Sequence, residues 1–408
     1  AAAAVEGDAS ATEPPPCART VAADKVLAYL EQRYEEAEKG GEPIDWNWFR
    51  VRLIRLAYIG AVVFFFWVFV TDKVPHYEKT TVSGDVPFRK VRRLINHTHW
   101  VRTVAFRPDG ARMATAGWDE RVVVWDPSTG VAEQRLAGYD AAVMNIEWSP
   151  DGLWLATVSR DRRVRVWDAT TWQMEFKERG HEDEIYGLSW HPNGSQFATG
   201  SADGNVTIWS AFPEWKKRRV LVFNRTSAFS VAYRPDGEVL AVGNMGGAVE
   251  LWRPDSEEDE PFSILHVHEK IALSLSWHPT DPNRLASASA DGTALVWDVA
   301  EGKVTALMKH EGWVCSVAWS PDGKQLVTSS WDGSVGVWTA GGVPIASLRG
   351  HPSWVAGWVT DVAWSPDGRT LVSVGGDKSV VMWEEVPGEG HCAGKVEEEK
   401  PRPDDDEL

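Results

Sequence analysis

Short runs of alternating apolar and polar residues recur along most of the chain, and a tryptophan closes each group of three runs. In the first group the runs are VRTVAF, ARMATAG and RVVVW, and the last of them ends at Trp125. Alternation with a period of two is typical of β-strands that bury one face. Pro108-Asp109-Gly110 separates the first two runs, and such residues favour tight turns. The pattern therefore predicts a repeated all-β unit.

Seven copies of this unit follow one another, and we number them blades 1 to 7. Their closing tryptophans are 42, 42, 43, 45, 41 and 45 residues apart, at Trp125, Trp167, Trp209, Trp252, Trp297, Trp338 and Trp383. A period of about 40–45 residues is typical of propeller blades. Three units close with the dipeptide Trp-Asp, at Trp125-Asp126, Trp167-Asp168 and Trp297-Asp298. Residues 87–385 thus resemble the WD-repeat β-propeller family, which implies an all-β fold of seven four-stranded antiparallel blades.

The resemblance also implies a buried set of four hydrogen-bonded side chains in each blade, here called the tetrad. Five blades contain a complete tetrad, at His97, Thr115, Asp119 and Trp125 (blade 1), His181, Thr199, Asp203 and Trp209 (blade 3), His268, Ser287, Asp291 and Trp297 (blade 5), His310, Thr328, Asp332 and Trp338 (blade 6), and His351, Ser373, Asp377 and Trp383 (blade 7). Blade 2 has Tyr139 at the histidine position, and blade 4 has Asn224, Val242 and Gly246 at the polar positions. One such set would suggest a catalytic triad. Five copies around a ring indicate a structural role, because buried polar groups require partners.

Two further features of the repeat concern packing and closure. Tryptophans that end first strands are predicted to pack between blades, at Trp148, Trp190, Trp277, Trp319 and Trp364. In the family, the segment before the first complete unit supplies the outer strand of the last blade. Here that segment is Phe88–Ile95, which would close the ring and remove its open sheet edges.

The first quarter of the chain does not share the repeat. Residues 1–19 are rich in alanine and proline and are predicted to be disordered. Residues 20–40 have the apolar spacing of an amphipathic helix. Residues 45–72 contain an uncharged run that, taken as 53–70, predicts one transmembrane helix in contact with the lipid bilayer. A buried core helix and a secretory signal are the alternatives. A linker (73–86) and an acidic disordered tail (386–408) complete the predicted domains.

Charge and termini suggest an orientation and a compartment. Arg50, Arg52 and Arg55 precede the apolar run, whereas Lys73 alone follows it immediately, which predicts the N-terminus on the positive side and the propeller across the membrane. The small residues at the start favour removal of an organellar presequence. We therefore expect the mitochondrial inner membrane, with the propeller on the intermembrane-space side. A plastid membrane or the endoplasmic reticulum is the alternative, and the final Asp-Asp-Glu-Leu resembles a retention signal.

Composition excludes several classes of function. The chain has 42 Lys+Arg against 59 Asp+Glu and a formal charge of −17, which disfavours nucleic-acid binding through phosphate neutralisation. Three cysteines without a C-x-x-C spacing predict neither a disulfide framework nor a metal site. No nucleotide loop or nucleophile–base pair stands outside the tetrads. We therefore expect no enzyme activity, cofactor, metal or small-molecule substrate.

The remaining candidates are surface residues. Six tryptophans are predicted at strand ends on one side of blades 6, 7 and 1, near Arg102 and Arg160: Trp100, Trp118, Trp313, Trp331, Trp354 and Trp358. They are either a partner surface or local packing. The basic run from Trp215 to Arg219 is predicted to be a loop before a strand of blade 4, solvated or in contact with anionic lipid or acidic protein.

WD-repeat propellers are usually platforms for other proteins, which is an inference by resemblance. The sequence thus predicts a non-catalytic scaffold, anchored in a membrane as an accessory or assembly subunit of an organellar complex, with protein subunits as partners. The alternative is a trafficking factor of the endoplasmic reticulum, such as a cargo or GTPase adaptor.

Overall fold

The computed structural model describes residues 88–222, 226–256, 258, 260–266, 268–351 and 357–386. The predicted disordered N-terminus, amphipathic helix, transmembrane helix and linker lie outside the described residues. So do Asn224, Trp354 and the acidic tail from residue 387 onward. The described ranges contain no helix with the length and apolar character that a membrane crossing needs.

The described chain forms 28 strands, and they build seven four-stranded antiparallel sheets. The first strand is β1 (Phe88–Ile95). Blade 1 contains β2 (Val101–Phe106), β3 (Met113–Gly117), β4 (Val122–Asp126) and β5 (Val131–Leu136). Blade 2 contains β6 (Val143–Trp148), β7 (Trp154–Ser159), β8 (Arg163–Asp168) and β9 (Met174–Arg179). Blade 3 contains β10 (Ile185–Trp190), β11 (Gln196–Ser201), β12 (Asn205–Ser210) and β13 (Lys216–Val222).

The second half of the ring follows the same order. Blade 4 contains β14 (Ala228–Tyr233), β15 (Leu240–Asn244), β16 (Ala248–Trp252) and β17 (Ser263–His266). Blade 5 contains β18 (Ala272–Trp277), β19 (Arg284–Ser289), β20 (Thr293–Asp298) and β21 (Lys303–Lys309). Blade 6 contains β22 (Val314–Trp319), β23 (Gln325–Ser330), β24 (Val335–Thr339) and β25 (Pro344–Leu348). Blade 7 contains β26 (Val359–Trp364), β27 (Thr370–Gly375) and β28 (Ser379–Glu385).

Blade 7 takes its fourth strand from the beginning of the propeller. β1 pairs antiparallel with β28, from Phe88 opposite Glu385 to Ile95 opposite Ser379. The first strands of successive blades contact one another, and β26 also contacts β2. The ring is therefore closed, as the resemblance implies, and the seven first strands surround its axis.

Apolar cores lie between neighbouring blades. One core joins Val124 and Leu136 of blade 1 to Trp148 and Leu155 of blade 2. The indole of Trp148 also donates to the backbone oxygen of Ala105 in the previous blade, at 3.2 Å. The indoles at three other seams donate in the same way, from Trp190 to Glu147, from Trp277 to Ala232 and from Trp319 to Ser276. These tryptophans thus combine apolar burial with a directed bond between blades.

The ring has two distinct ends. The Pro-Asp-Gly turns between first and second strands lie at one, here called the turn end. Gly110 closes the first of these turns with φ +71°, a backbone conformation that glycine adopts without steric cost. Residues that precede first strands and follow second strands lie at the opposite end. Phe88 and Glu385 lie at the turn end, since the amide of Glu385 donates to Arg369 beside the turn of blade 7.

Candidate functional site

The tetrads are hydrogen-bonded sets inside the blades. In blade 1, His97 Nδ1 lies 2.9 Å from Asp119 Oδ2, and its Nε2 lies 2.8 Å from Thr115 Oγ1. The indole of Trp125 donates to the same hydroxyl at 2.8 Å. The same three contacts measure 2.7–3.0 Å in blades 3, 5, 6 and 7. They join His181, Thr199, Asp203 and Trp209; His268, Ser287, Asp291 and Trp297; His310, Thr328, Asp332 and Trp338; and His351, Ser373, Asp377 and Trp383.

The tetrad aspartates have pKa values below their usual range. Burial raises the pKa of Asp332, but the hydrogen bond and charge of His310 outweigh this effect and hold that pKa well below its usual range. The other four tetrad aspartates shift in the same direction. In blade 1 the carboxylate also accepts from the amide of Thr98 at 3.0 Å. Such a group is poorly matched to general-base chemistry near neutral pH, so the geometry suits a structural role.

Blade 2 replaces the histidine with a different network. The hydroxyl of Tyr139 donates to Thr157 and accepts from the indole of Trp167, both at 3.0 Å. Arg165, whose side chain is fully buried, pairs with Asp161 through both terminal nitrogens, at 2.5 and 3.2 Å. Its guanidinium also lies 4.5 Å from the Tyr139 ring centroid. Arg165 was not predicted from the sequence. The available signal was a charged residue where the third strand of blade 1 has Val123.

Blade 4 also has a polar contact of its own. Val242 stands at the hydroxyl position and pairs in register with Glu250 of the third strand. The carboxylate of Glu250 accepts from Asn244 at 3.2 Å. Burial raises the pKa of Glu250.

The basic run was predicted to be a loop before a strand of blade 4, and this prediction was wrong. Lys216–Val222 is β13, the outer strand of blade 3. Arg219 donates to the backbone oxygens of Pro254, Ser256 and Glu258 in the loop that connects the third and fourth strands of blade 4. The loop between β16 and β17 in blade 4 thus contacts the basic outer strand β13 of blade 3.

The tryptophans predicted as a partner surface occupy equivalent backbone positions in three blades. The amide of Trp118 donates to Trp100 in blade 1, and that of Trp331 donates to Trp313 in blade 6, each at 2.9 Å. In blade 7, Gly376 donates to Trp358 at 2.9 Å. The other blades have the pairs Ala142 and Arg160, Glu184 and Ala202, Ser227 and Met245, and Ile271 and Ala290, at 2.9–3.1 Å.

The structure brings five of the six predicted tryptophans into one continuous cluster, here called the tryptophan arc; the sixth, Trp354, is not described. The centroids of contacting rings are 5.8 Å apart for Trp118 and Trp100, 5.3 Å for Trp100 and Trp358, 5.3 Å for Trp358 and Trp331, and 4.3 Å for Trp331 and Trp313. Trp118 and Trp313, at the two ends of the arc, are 36% and 37% exposed. The arc lies at the end of the ring opposite the turn end.

The two arginines predicted near this surface have different environments. The guanidinium of Arg160 lies 4.9 Å from the ring centroid of Trp118 and pairs with Glu184 at 2.7 Å. Arg102 directly follows the first residue of β2 and donates to the backbone oxygen of Thr360 at 3.3 Å. Arg102 also lines the central cavity of the ring.

That cavity has a volume of about 290 Å³, and all seven first strands contribute to its wall. Glu147 and Asp361 lie in this wall and connect blades. The carboxyl of Glu147 accepts from the amide of Trp190, and that of Asp361 accepts from the amide of Val104, both at 2.9 Å. Burial raises the pKa of Glu147 to about 8 and raises that of Asp361. Neither residue was predicted from the sequence, although each is the one charged residue of its first strand.

No group of three or more His, Cys, Asp or Glu suited to a metal ion occurs in the part of the chain that the structure describes. Cys315 lines the cavity, and burial raises the pKa of its thiol to about 12. A thiol that stays protonated is a poor nucleophile.

Comparison with known proteins supports the repeat architecture. Ribosome assembly protein 4 of Chaetomium thermophilum is 45% identical over 60 residues, which are 14% of this chain and 12% of that protein. Protein transport protein sec31 of Schizosaccharomyces pombe is 41% identical over 68 residues, 16% of this chain and 6% of that protein. Coronin-7 of Rattus norvegicus is 42% identical over 67 residues, which are 16% of this chain and 7% of that protein.

These similar segments therefore span a small fraction of each relative. The model of one family, described as the IFT122 first beta-propeller, matches residues 100–384, which is well over half of the chain. The family match covers the seven blades of the closed ring, and the chain belongs to the IFT122 first beta-propeller family.

Proposed function

We propose that this protein is a non-catalytic scaffold that binds a partner protein on the tryptophan arc. Propellers of the WD-repeat type are typical of protein-interaction scaffolds. The observation that carries the proposal is the continuous contact of five indole rings across blades 6, 7 and 1. Contiguous apolar surface marks interaction sites, and tryptophan is enriched among the residues that dominate binding energy.

Blade packing does not account for the arc. At the equivalent positions, blades 2 to 5 have Ala142, Glu184, Ser227 and Ile271 before the first strand, with the same backbone bond. The blade therefore forms without tryptophan there. The tryptophans that recur around the ring lie elsewhere, at the ends of first and third strands. The arc is thus an addition to the fold, and it occupies three adjacent blades.

The test is affinity purification of the full chain in mild detergent, with bound proteins quantified by mass spectrometry. Trp118→Ala combined with Trp313→Ala removes the two exposed ends of the arc. Met245→Ala is the matched control, because Met245 occupies the position of Trp118 in blade 4 and is 46% exposed. If the arc holds the partner, the tryptophan variant loses at least about 2 kcal/mol of binding energy, roughly 30-fold in affinity. Equal recovery with both variants contradicts the proposal.

The finer proposal is that the scaffold is anchored in a membrane and serves an organellar complex as an accessory or assembly subunit. It is supported by the uncharged run within residues 53–70. It is also compatible with the position of Phe88, the first described residue, which lies at the turn end of the ring. Carbonate extraction tests the anchor, since release of the full chain into the supernatant contradicts it. Protease protection of sealed organelles tests the side, because digestion of the propeller from the cytosolic or matrix face contradicts an intermembrane-space location.

The alternative, a trafficking adaptor of the endoplasmic reticulum, makes a different prediction. A lumenal propeller would present sequons at Asn96 and Asn205 to the glycosylation machinery. Glycan at either asparagine would favour the alternative. Co-purification with a respiratory or photosynthetic complex, dependent on the tryptophan arc, would favour the first assignment.

A further inference from the structure

Arg102 is unusual among the residues that share its position in the ring. Each first strand contains a bulge after its first residue, and the bulged residues are Arg102, Met144, Tyr186, Phe229, Leu273, Cys315 and Thr360. Six of these residues carry no charge, and the seventh is Arg102. It belongs to the first strand that directly follows Trp100, whose ring contacts both Trp118 and Trp358. A cation therefore lies at the cavity mouth beside the tryptophan arc.

Within the described part of the protein, the guanidinium of Arg102 has one hydrogen bond and no ion pair. Its hydrogen bond there goes to the backbone oxygen of Thr360 at 3.3 Å, although arginine has five N–H donors. Among the described residues, no carboxylate oxygen lies within ion-pair distance of it. Neighbouring arginines differ, since Arg160 pairs with Glu184 at 2.7 Å and Arg163 pairs with Asp140 at 2.5 Å.

Asp361 lies in the same wall, and its carboxyl group is hydrogen-bonded to backbone amides. Its two carboxyl oxygens accept from the amides of Val104 and Val362, each at 2.9 Å. Asp361 therefore ties blade 7 to blade 1. The nearby charge of Arg102 partly offsets the rise in the pKa of Asp361 that burial causes, but the two groups form no ion pair. The cavity has a volume of about 290 Å³, which leaves room for an acidic side chain beside Arg102.

We infer that the partner places the carboxylate of an aspartate or glutamate side chain on Arg102 while neighbouring apolar side chains pack on the tryptophan arc. This inference rests on the proposed function and adds the chemistry of the partner. Guanidinium and carboxylate form paired, charge-assisted hydrogen bonds, and the covering partner would exclude water from them. The last described strand of this chain ends at Glu385, at the turn end, so we assign the carboxylate to a partner and make the acidic residues 387–408 the competing outcome of the test.

A phage-displayed library of random short peptides, selected on the full chain, tests the inference. Enriched peptides are then synthesised in pairs, with the acidic residue present or replaced by its amide. We expect the acid-to-amide change to weaken binding to the wild type about tenfold or more, and binding to Arg102→Gln less than about twofold. Arg102→Glu should reverse the preference and favour peptides in which lysine replaces the acid. Arg163→Gln, the same substitution at a paired arginine at the same end of the ring, should leave the wild-type preference unchanged.

The outcomes separate the inference from the proposed function. Peptides that require Trp118 and Trp313 but bind equally well as acid and amide overturn the inference and leave the scaffold proposal standing. Peptides whose binding is unaffected by alanine at both tryptophans overturn the proposed site, and the inference with it. If removal of residues 387–408 tightens binding of acidic peptides by about tenfold or more, the tail occupies Arg102, and the assignment to a partner is wrong.

Discussion

The buried ion pair of blade 2 gives a quantitative prediction about stability. Arg165→Met removes the guanidinium but keeps an apolar side chain of similar length. The side chains of Arg165 and Asp161 are 0% and 3% exposed, so the substitution leaves a carboxylate without its main counter-charge. Breaking a buried pair in this way costs about 3–5 kcal/mol. The amides of Asp140 and Arg163 continue to donate to Asp161 in the variant. We therefore expect the free energy of unfolding to fall by about 3 kcal/mol, near the lower bound of that range.

The measurement is urea unfolding at neutral pH, followed by tryptophan fluorescence. The matched control is Arg163→Met in the same hairpin, whose ion pair with Asp140 is 35% and 68% exposed. An exposed pair contributes at most about 1 kcal/mol. Adding Asp161→Asn to Arg165→Met should recover part of the loss, because it removes the unpaired charge. A loss for Arg165→Met no larger than that of the control would refute the reasoning.

Three further predictions concern the seams, the tetrads and the closing strand. Glu147→Gln should increase the stability of the ring at about pH 8.5 and have little effect on it at about pH 4.5. In the folded protein the pKa of Glu147 is raised to about 8, so this carboxyl destabilises the fold increasingly as the pH rises. A difference in stability between this variant and the wild type that does not change with pH would contradict the prediction. The destabilisation by Asp291→Asn should be largest at neutral pH and shrink as the pH falls from about 5 to about 2, because burial raises the pKa of Asp291 but His268 and Thr293 together lower it further. A destabilisation in urea unfolding that does not change with pH would argue against the pairing. Removal of residues 88–95 should expose the edge of β28 and cause aggregation in size-exclusion chromatography, whereas a chain that begins at Phe88 should remain monomeric.

The repeated parts of the molecule were predictable because each copy supports the others. His351 illustrates this, since it reaches Asp377 and Ser373 at 2.8 and 3.0 Å despite extra residues between it and the first strand of its blade. The register of turns and tryptophans fixed its position. The closing role of Phe88–Ile95 followed in the same way from the family resemblance.

Features that occur in a single blade were harder to predict. Arg165, Glu147 and Asp361 each replace a small or apolar residue of the repeat, and a single sequence does not show whether such a charge is buried. Their partners lie on another strand or on the next blade, at contacts that only the assembled ring creates. The basic strand β13 was missed for a related reason. Outer strands are mostly solvated, so their alternation is weak, and a run of lysine and arginine resembles a loop.

The position of each tryptophan in the arc could be read from the repeat, but the contacts between them could not. Trp100 touches Trp358 because closure makes blade 7 the neighbour of blade 1. These residues are 258 positions apart in the chain. Whether they meet depends on the number of blades and on the angle at which the ring closes.

The pairing of β1 with β28 has a consequence for biosynthesis. Glu385 follows its partner Phe88 by 297 residues, and at about 5–20 residues per second the ribosome needs roughly 15–60 seconds to synthesise that interval. During this time β1 has no strand to pair with, and the nascent chain carries its hydrogen-bonding groups exposed. A chaperone that binds β1 would therefore protect this strand until β28 has been synthesised and can pair with it.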